Sequence, residues 1–315
     1  MGWTVFRDQI SSYFGNNLVQ QEKAMAEELG FKYYFQTAPE RSPDIFLSNT
    51  HTNFKKLADQ DFFSNTKFII HANSGYDNFP FDFVKDFSGS IILGNQIRQH
   101  AVADYIMASL YRWLTPLSKS SKWDQQRSFK RKVASNCQVL LLGKGHIGTI
   151  VSNALINLGM TVHISDPHLG FNANPDLSCI DIIILCAGLN PTSRHIIDQR
   201  FFKKLKSEFL LINSARGPLI NHSDLKNAIR NSPEAQFVLD VFETEPYALE
   251  EFIECPNVIV TSHIAGVHDM LGHDTLEFIY KALKDIVSAL NQDQSTLPAG
   301  KFPLLRDRLM PNYLL

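Results

Sequence analysis

Three polar segments of the sequence carry side chains that could do acid–base chemistry on a carboxylate-bearing substrate. Each follows an apolar run that predicts a buried strand. The segments and their reactive side chains are residues 213–217 with Arg216, residues 240–246 with Glu245, and residues 261–266 with His263. A guanidinium can hold a planar carboxylate through two parallel hydrogen bonds. A histidine can donate or accept a proton near neutral pH, and a nearby carboxylate stabilises its charged form.

The positions of these side chains predict that they converge. In a parallel sheet the carboxyl ends of the strands share one edge, so all three segments open on that edge. Each residue also has a structural alternative: Arg216 can pair with an acid, Glu245 can be solvated, and His263 can bond a backbone carbonyl. The coincidence of the three at one predicted edge favours the functional interpretation.

A glycine-rich segment predicts where a dinucleotide binds. Apolar residues 139–142 end at Gly143, Gly145 and Gly148 in the pattern G-x-G-x-x-G, and apolar residues then recur at helical spacing. A second predicted strand leads to Asp166, which is placed to bind ribose hydroxyls. Strand, glycines, helix and acid together predict an NAD site, with a non-binding strand-to-helix turn as the alternative.

The order of predicted elements indicates an α/β protein with parallel sheets. The first part of the chain alternates strands at 31–35, 44–48, 67–71 and 90–93 with helices at 19–29, 53–63 and 81–87. Six strands follow an apolar helix at 100–114, and they lie at 139–142, 161–165, 182–186, 209–213, 237–241 and 258–262. A doubly wound nucleotide-binding domain also has six strands. A final amphipathic helix covers residues 270–290.

Two polar loops at predicted strand ends, residues 49–51 and 73–78, are candidates for a substrate-binding wall. Plain turn chemistry of their Asn, Ser, Gly and Asp residues explains them equally well.

Composition restricts the kinds of partner. The 315 residues are 44% hydrophobic and 20% charged with a formal net charge of -2, which gives no electrostatic footprint for nucleic acid or anionic lipid. No apolar run approaches a membrane-spanning length, so we expect a cytoplasmic protein with no membrane partner. Four cysteines without CxxC spacing are expected to be reduced, and the histidines at 263, 268 and 273 lack metal-ligand spacing, so no metal is predicted.

The sequence resembles the D-isomer-specific 2-hydroxyacid dehydrogenase family along essentially its whole length. The matching stretches, in order, are SGYDN at 74–78, AVAD at 101–104, LLLGKGHIG at 140–148, SDP at 165–167, INSARGPLI at 212–220, LDVFETEP at 239–246 and SHIAG at 262–266. The resemblance implies that Arg216 binds the substrate carboxylate and oxo group, that Glu245 orients His263, and that His263 is the acid/base.

The resemblance also implies an architecture and further contacts. A flavodoxin-like substrate domain would comprise residues 1–95 and 267–315, and a Rossmann NAD-binding domain residues 96–266, with pairing of two copies into a homodimer. Backbone amides near Ser74 and Gly75 would meet the substrate carboxylate, and Asp240 would approach the nicotinamide amide. Besides Arg216, the predicted substrate-binding residues are Ser74, Gly75 and His51. The predicted cofactor-binding residues are Gly143, Gly145, His146, Ile147, Gly148, Asp166, Cys186, Ala187, Ala215 and Asp240.

The chain departs from the family at several places outside the predicted catalytic residues. It has Cys186-Ala187-Gly188 where His-x-Pro is usual, Asp104 and Asn221 where Glu and Asp are usual, and Phe79-Pro80 in place of Ile-Asp. These changes bear on the adenosine pocket and the substrate wall. Glu245 also argues against a formate dehydrogenase relative, in which Gln is expected there.

The sequence therefore predicts an NAD-dependent oxidoreductase that interconverts a small 2-oxo acid and its D-2-hydroxy acid. Hydroxypyruvate, glyoxylate, pyruvate and a phosphorylated acid all stay open as substrates. The alternative is an NAD(H)-sensing, corepressor-like binding protein, because fold alone does not distinguish the two.

Overall fold

The computed structural model describes residues 2–11, 14–117, 122–127 and 131–291. These residues divide into two compact units: those up to Arg98 and from His268 onward form the first, and Gln99–Val267 form the second. Each unit contains its own sheet, and all strand pairs but one are parallel, which confirms the predicted α/β class. Residues 292–315, assigned by the sequence to a substrate domain, lie outside the described residues.

The first unit is built on a five-stranded parallel sheet in the order β2-β1-β3-β4-β5. Its elements up to the second unit are β1 (Thr4–Arg7), α1 (Asn16–Glu28), β2 (Lys32–Phe35), β3 (Ile45–Ser48), α2 (Phe54–Asp59), β4 (Phe68–His71), α3 (Phe81–Asp86), β5 (Ser90–Leu93) and the start of α4 (Asn95–Leu114). The strand order reverses between β1 and β3, and open α/β sheets bind ligands outside the carboxyl ends of their strands at such a point.

The second unit is built on a seven-stranded sheet in the order β12-β11-β10-β9-β6-β7-β8. Its elements after α4 are β6 (Gln138–Leu142), α5 (His146–Asn157), β7 (Thr161–Asp166), β8 (Phe171–Asn172), β9 (Ile182–Leu185), α6 (Gln199–Phe202), β10 (Leu210–Asn213), α7 (His222–Asn231), β11 (Gln236–Leu239) and β12 (Val258–Val260). The last described helix, α8 (Leu271–Asn291), returns to the first unit. Counted from β6, this is the doubly wound dinucleotide-binding order with one added strand.

Sequence patterning missed β1 and β8. Strand β1 is only four residues long and ends in Arg7, whose charge interrupts the apolar pattern. Arg7 is nevertheless buried, because its Nε and Nη2 donate to the Glu22 carboxylate on α1 at 2.7 and 2.5 Å. Strand β8 has two exposed residues and pairs antiparallel with the end of β7, beside Asp166. Neither strand carries a local signal of its own.

Two predicted helix boundaries were wrong by four residues or more. Helix α4 begins at Asn95 rather than at residue 100. The prediction missed its first turn because that turn has no strong apolar face. Helix α2 ends at Asp59 rather than at residue 63, and Asp61 has a φ of 54°, which a right-handed helix cannot contain.

Apolar layers cover both faces of each sheet, as expected for parallel strands. In the first unit one layer packs the strands against α1 and α8, and the other is rich in phenylalanine and packs them against α2 and α3. In the second unit one layer lies under α4 and α5, and the other under α6 and α7. The polar residues at the carboxyl ends of the strands are thus held on rigid elements. None of the helices that the structure describes is both long and apolar enough to cross a membrane.

Candidate active site

The turn between β6 and α5 requires glycine at two positions. Gly143 has a φ of 100°, and a Cβ atom there would lie 2.5 Å from the backbone nitrogen of Ala187. A Cβ atom on Gly148 would lie 2.1 Å from the carbonyl oxygen of Gly143. The glycines therefore let the turn lie directly against the loop after β9, which contains Cys186 and Ala187.

The start of α5 is open to a large anionic group. Gly145 is the N-cap residue and provides no side-chain hydrogen bond to the first turn. A Cβ atom added to Gly145 would meet nothing within 4 Å, unlike those added to Gly143 and Gly148. The first N–H groups of a helix have no acceptor within the helix, and together with the positive end of the helix dipole they favour a phosphate at such a place.

Asp166 ends β7 at the same edge of the sheet. Its Oδ2 accepts a hydrogen bond of 2.7 Å from the backbone N–H of Lys144, in the glycine turn. No donor among the residues that the structure describes reaches its Oδ1, which leaves that oxygen for ribose hydroxyls. Open glycine backbone, helix start and carboxylate thus fit the pyrophosphate and ribose of NAD.

The other predicted cofactor contacts lie around this turn. His146 is exposed and Ile147 is half-buried in the first turn of α5, and Cys186 and Ala187 are half-buried beyond β9. Burial raises the pKa of the Cys186 thiol to about 12, so it is protonated at neutral pH and serves as a small apolar group. Their contact with the cofactor stays a prediction.

Arg216 lies in a turn that its neighbours hold rigidly. Asn213, at the end of β10, donates from Nδ2 to the Arg216 carbonyl at 3.0 Å and accepts from the Ala215 N–H at 3.1 Å. A Cβ atom on Gly217 would lie 1.9 Å from the carbonyl carbon of Phe242. The turn therefore packs against the segment after β11, and this contact places Arg216 beside the segment of Glu245.

Glu245 joins two strand-end segments. Its Oε2 lies 2.7 Å from His263 Nδ1, and its Oε1 accepts from the Phe242 N–H at 2.9 Å. Burial alone would raise the pKa of the Glu245 carboxyl, but these two hydrogen bonds and the charges of His263 and Arg216 outweigh burial and hold the pKa below its usual value. The carboxylate is ionised at neutral pH and accepts the Nδ1 proton.

His263 has an unusual backbone conformation. Its φ is 55°, in the left-handed region that non-glycine residues rarely adopt, and its N–H donates to the Asp240 carbonyl at 2.8 Å. Because Nδ1 is bonded to Glu245, Nε2 is the ring atom left to exchange a proton. About half of the side chain (53%) is exposed, so Nε2 can be reached.

Asp240 organises the loop that carries the histidine. The residue is fully buried; its Oδ1 accepts from Thr261 Oγ1 at 2.6 Å and from the Ile264 N–H at 2.8 Å, and its Oδ2 accepts from the Ala265 N–H at 2.9 Å. Tyr105 on α4 donates its hydroxyl to Thr261 Oγ1 at 2.8 Å, because the Thr261 proton is already given to Asp240. Contact of Asp240 with a nicotinamide stays a prediction.

The first unit holds the predicted substrate-binding residues in two loops. Ser74 and Gly75 lie in the loop after β4, and their backbone N–H groups donate to no acceptor in the part of the chain that the structure describes. His51 is exposed in the turn after β3, where its N–H donates to Asn49 Oδ1 at 2.8 Å. The free amides suit an anion, and the role of His51 stays a prediction.

Sequence reasoning missed two polar residues that support site loops: Tyr105, which bonds Thr261 in the second unit, and His71, which bonds Gly75 in the first. Tyr105 lies in an apolar helix and His71 ends an apolar strand, so both patterns indicate core packing. The partner of Tyr105 is 156 positions away, and the rings that bury His71 belong to other segments, so no local signal identifies either residue.

The described residues contain one group of possible metal ligands, on α8. His273, Asp274 and Glu277 on α8 offer atoms within 4.8 Å of one another. His273 and Glu277 are exposed, as solvated helix surfaces usually are. This group gives no reason to assign a metal.

The chain is similar to known proteins at three levels: a family model, whole sequences and the fold. Residues 107–265 match the family model "D-isomer specific 2-hydroxyacid dehydrogenase, NAD binding domain". The chain is 28% identical over 279 residues to 4-methyl-2-oxopentanoate reductase A of Aspergillus oryzae, covering 82% of this chain and 81% of that protein. It is 26% identical over 275 residues to erythronate-4-phosphate dehydrogenase of a Psychrobacter species, covering 82% and 69%. A crystal structure of a glyoxylate reductase from Paecilomyes thermophila has the same fold, with a TM-score of 0.74, 18% identity, and coverage of 98% of this chain and 99% of that one.

Proposed function

This chain belongs to the D-isomer specific 2-hydroxyacid dehydrogenase family, and we propose that Arg216, Glu245 and His263 carry out its reaction. The protein is an NAD-dependent oxidoreductase that acts on 2-oxo and 2-hydroxy acids.

The observation that carries the proposal is the 2.7 Å contact between His263 Nδ1 and Glu245 Oε2, beside Arg216. A carboxylate on one ring nitrogen fixes the tautomer and leaves the other nitrogen for proton transfer. The guanidinium of Arg216, near Glu245, supplies the positive charge that a carboxylate substrate requires. This combination suits reduction of a carbonyl next to a carboxylate.

The three residues have distinct roles in the proposed reaction. NAD, when bound, gives or takes the hydride. Arg216 holds the substrate carboxylate and oxo group, and its charge stabilises the negative charge that develops on the oxo oxygen. His263 gives the Nε2 proton to that oxygen during reduction and takes it from the hydroxyl during oxidation. Glu245 holds the Nδ1 proton and stabilises the ring while it is charged.

The substrate is proposed to be a small 2-oxo acid whose carboxylate also meets the free amides of Ser74 and Gly75. Relatives reduce or oxidise acids with different side groups, as their names state, so the panel must be broad. We would follow NADH absorbance with hydroxypyruvate, glyoxylate, pyruvate, 4-methyl-2-oxopentanoate and a phosphorylated 2-oxo acid. Chiral chromatography should identify the product as the D isomer.

His263→Gln tests whether the reaction depends on the proposed acid. Loss of a general acid–base typically lowers the rate by about 10²- to 10⁴-fold. NADH affinity, measured by fluorescence, should change little. A variant that keeps full activity would exclude His263 from this role.

The alternative function, an NAD(H)-sensing binding protein, has no support among the relatives, which are enzymes. It predicts tight NADH binding without turnover of any 2-oxo acid. The substrate panel therefore distinguishes the two functions.

We also propose that the protein is a cytoplasmic homodimer. Large apolar side chains are exposed on α4 and just beyond it, at Tyr111, Leu117, Trp123 and Val133. Such groups favour burial against a second copy, and closed twofold pairs are the commonest assembly. The four free cysteines suit a reducing compartment. Light scattering at micromolar concentration should give twice the chain mass, and a monomer would contradict the proposal.

A further inference from the structure

His71 is a fully buried polar side chain that contacts the proposed substrate loop. It ends β4 with an exposed fraction of 0%. Its Nε2 lies 2.8 Å from the Gly75 carbonyl oxygen, and its Nδ1 lies 2.9 Å from Ser48 Oγ on β3. A carbonyl oxygen only accepts hydrogen bonds, so Nε2 carries a proton and donates it to Gly75.

Two aromatic rings fix the orientation of this imidazole. Phe79 lies edge-on to it with ring centroids 5.0 Å apart, and Phe54 lies on the same side, farther away, at 6.5 Å. Phe54 and Phe79 stack on each other at 3.8 Å. Phe79 belongs to the Phe79-Pro80 departure from the family pattern, so at this departure the chain has an aromatic ring that packs against His71.

The loop after β4 turns its carbonyl groups toward protein donors. The Gly94 N–H is shared between the carbonyls of His71 at 2.8 Å and Asn73 at 3.2 Å, and the Gly75 carbonyl accepts from the His71 side chain. In a trans peptide unit the C=O and the following N–H point in opposite directions, so the anchored Asn73 carbonyl turns the Ser74 N–H away from the core. Adjacent N–H groups aimed outward form a concavity that binds anions.

We propose that His71 is a positioning residue for the substrate carboxylate. Its Nε2–H holds the Gly75 carbonyl, and the Gly94 N–H contacts the Asn73 carbonyl, so both ends of the short segment that carries the Ser74 and Gly75 amides are fixed. Without that donor the Gly75 carbonyl, in a half-buried loop, would lose the hydrogen bond that it accepts from His71, and the loop would rotate so that the carbonyl reached water. The amides would turn with it. This inference rests on the proposed function, because it assigns the loop to the carboxylate of a 2-oxo acid.

Two substitutions of the same residue separate the positioning role from general stability. In His71→Gln the side-chain amide reaches the place of Nε2 and can still donate to Gly75, whereas in His71→Asn it reaches only the place of Nδ1. We expect His71→Asn to raise the KM for the 2-oxo acid about tenfold, the effect of losing about one hydrogen bond to the bound substrate. The kcat should change less than the KM, and the Kd for NADH should be unchanged. His71→Gln should recover most of the loss.

Thr66→Val is the matched control. Thr66 Oγ1 is buried and donates to the Pro43 carbonyl at 2.8 Å, shortly before β4 and at the opposite end from His71. The variant loses one buried hydrogen bond of the same unit and should unfold at lower urea concentration. Its KM should equal that of the wild type.

Three results would overturn the inference: an unchanged KM in His71→Asn, equal defects in the Asn and Gln variants, or a Kd for NADH that rises in step with the KM. Absence of turnover by the wild type would instead refute the proposed function, and this inference with it. Where His71→Asn does not fold, ¹⁵N-histidine spectra of the wild type test the hydrogen bond from His71 to Gly75, on which the inference rests. The buried ring must show a protonated Nε2 and an unprotonated Nδ1, and the opposite tautomer would refute the assignment.

Discussion

Replacing Glu245 by Gln should shift the pH dependence of catalysis without removing the histidine. The carboxylate stabilises the charged ring of His263, the form that donates a proton during reduction. Gln keeps a hydrogen bond to Nδ1 but removes the charge. The pH at which kcat/KM for 2-oxo acid reduction falls to half should therefore move downward, and reduction at neutral pH should weaken more than oxidation of the hydroxy acid.

The size of the shift follows from the exposure of the pair. Two unit charges about 4 Å apart attract by roughly 1 kcal/mol in water and about 4 kcal/mol at an effective dielectric constant of about 20. The side chains are 53% and 34% exposed, so the lower figure applies. About 1 kcal/mol corresponds to about 0.7 pH unit.

The assay is a pH profile of kcat/KM for both directions, with Glu243→Gln as the matched control. Glu243 lies two residues earlier in the same segment, but its carboxylate bonds Arg194 and His195 at 3.1 and 3.0 Å. Its variant should keep the wild-type profile. If the Glu245→Gln profile superimposes on that of the wild type, or moves to higher pH, Glu245 is not the partner of the catalytic histidine.

Three further outcomes are expected. Arg216→Lys should raise KM and lower kcat with little change in NADH affinity, because an ammonium cannot reproduce the two-pronged contact; unaltered steady-state kinetics would make Arg216 a structural residue. Asp166 would face the 2′-phosphate of NADPH with like charge, a cost of several kcal/mol, so kcat/KM should favour NADH by at least about 100-fold, and equal values would refute this assignment. Glu22→Gln leaves the buried Arg7 charge unpaired and should lower the free energy of unfolding in urea by about 3–5 kcal/mol. The control is Glu27→Gln, whose ion pair with Lys23 is more than half exposed, and it should change that free energy by less than about 1 kcal/mol. Equal effects of the two substitutions would contradict the reasoning.

The sequence alone was enough to place the polar residues at the carboxyl ends of buried strands. Parallel strands are apolar on both faces, so they stand out as short apolar runs, and the polar residues that follow them must meet at one edge. For this reason the glycine turn, Asp166 and the segments of Arg216, Glu245 and His263 could be predicted from the order of residues. The structure brings Glu245 and His263 within 2.7 Å of each other.

Contacts between residues far apart in sequence were decided only by the tertiary structure. Strand β1 ends in a charge that is tolerated because Glu22 lies against it, and no local pattern contains that partner. Tyr105 bonds Thr261 across 156 positions. His71 holds a carbonyl only four residues away, but its burial depends on Phe54 and Phe79 from other segments. Periodicity reports which side of an element is buried, whereas the hydrogen-bond partner of a buried polar group depends on which elements pack together.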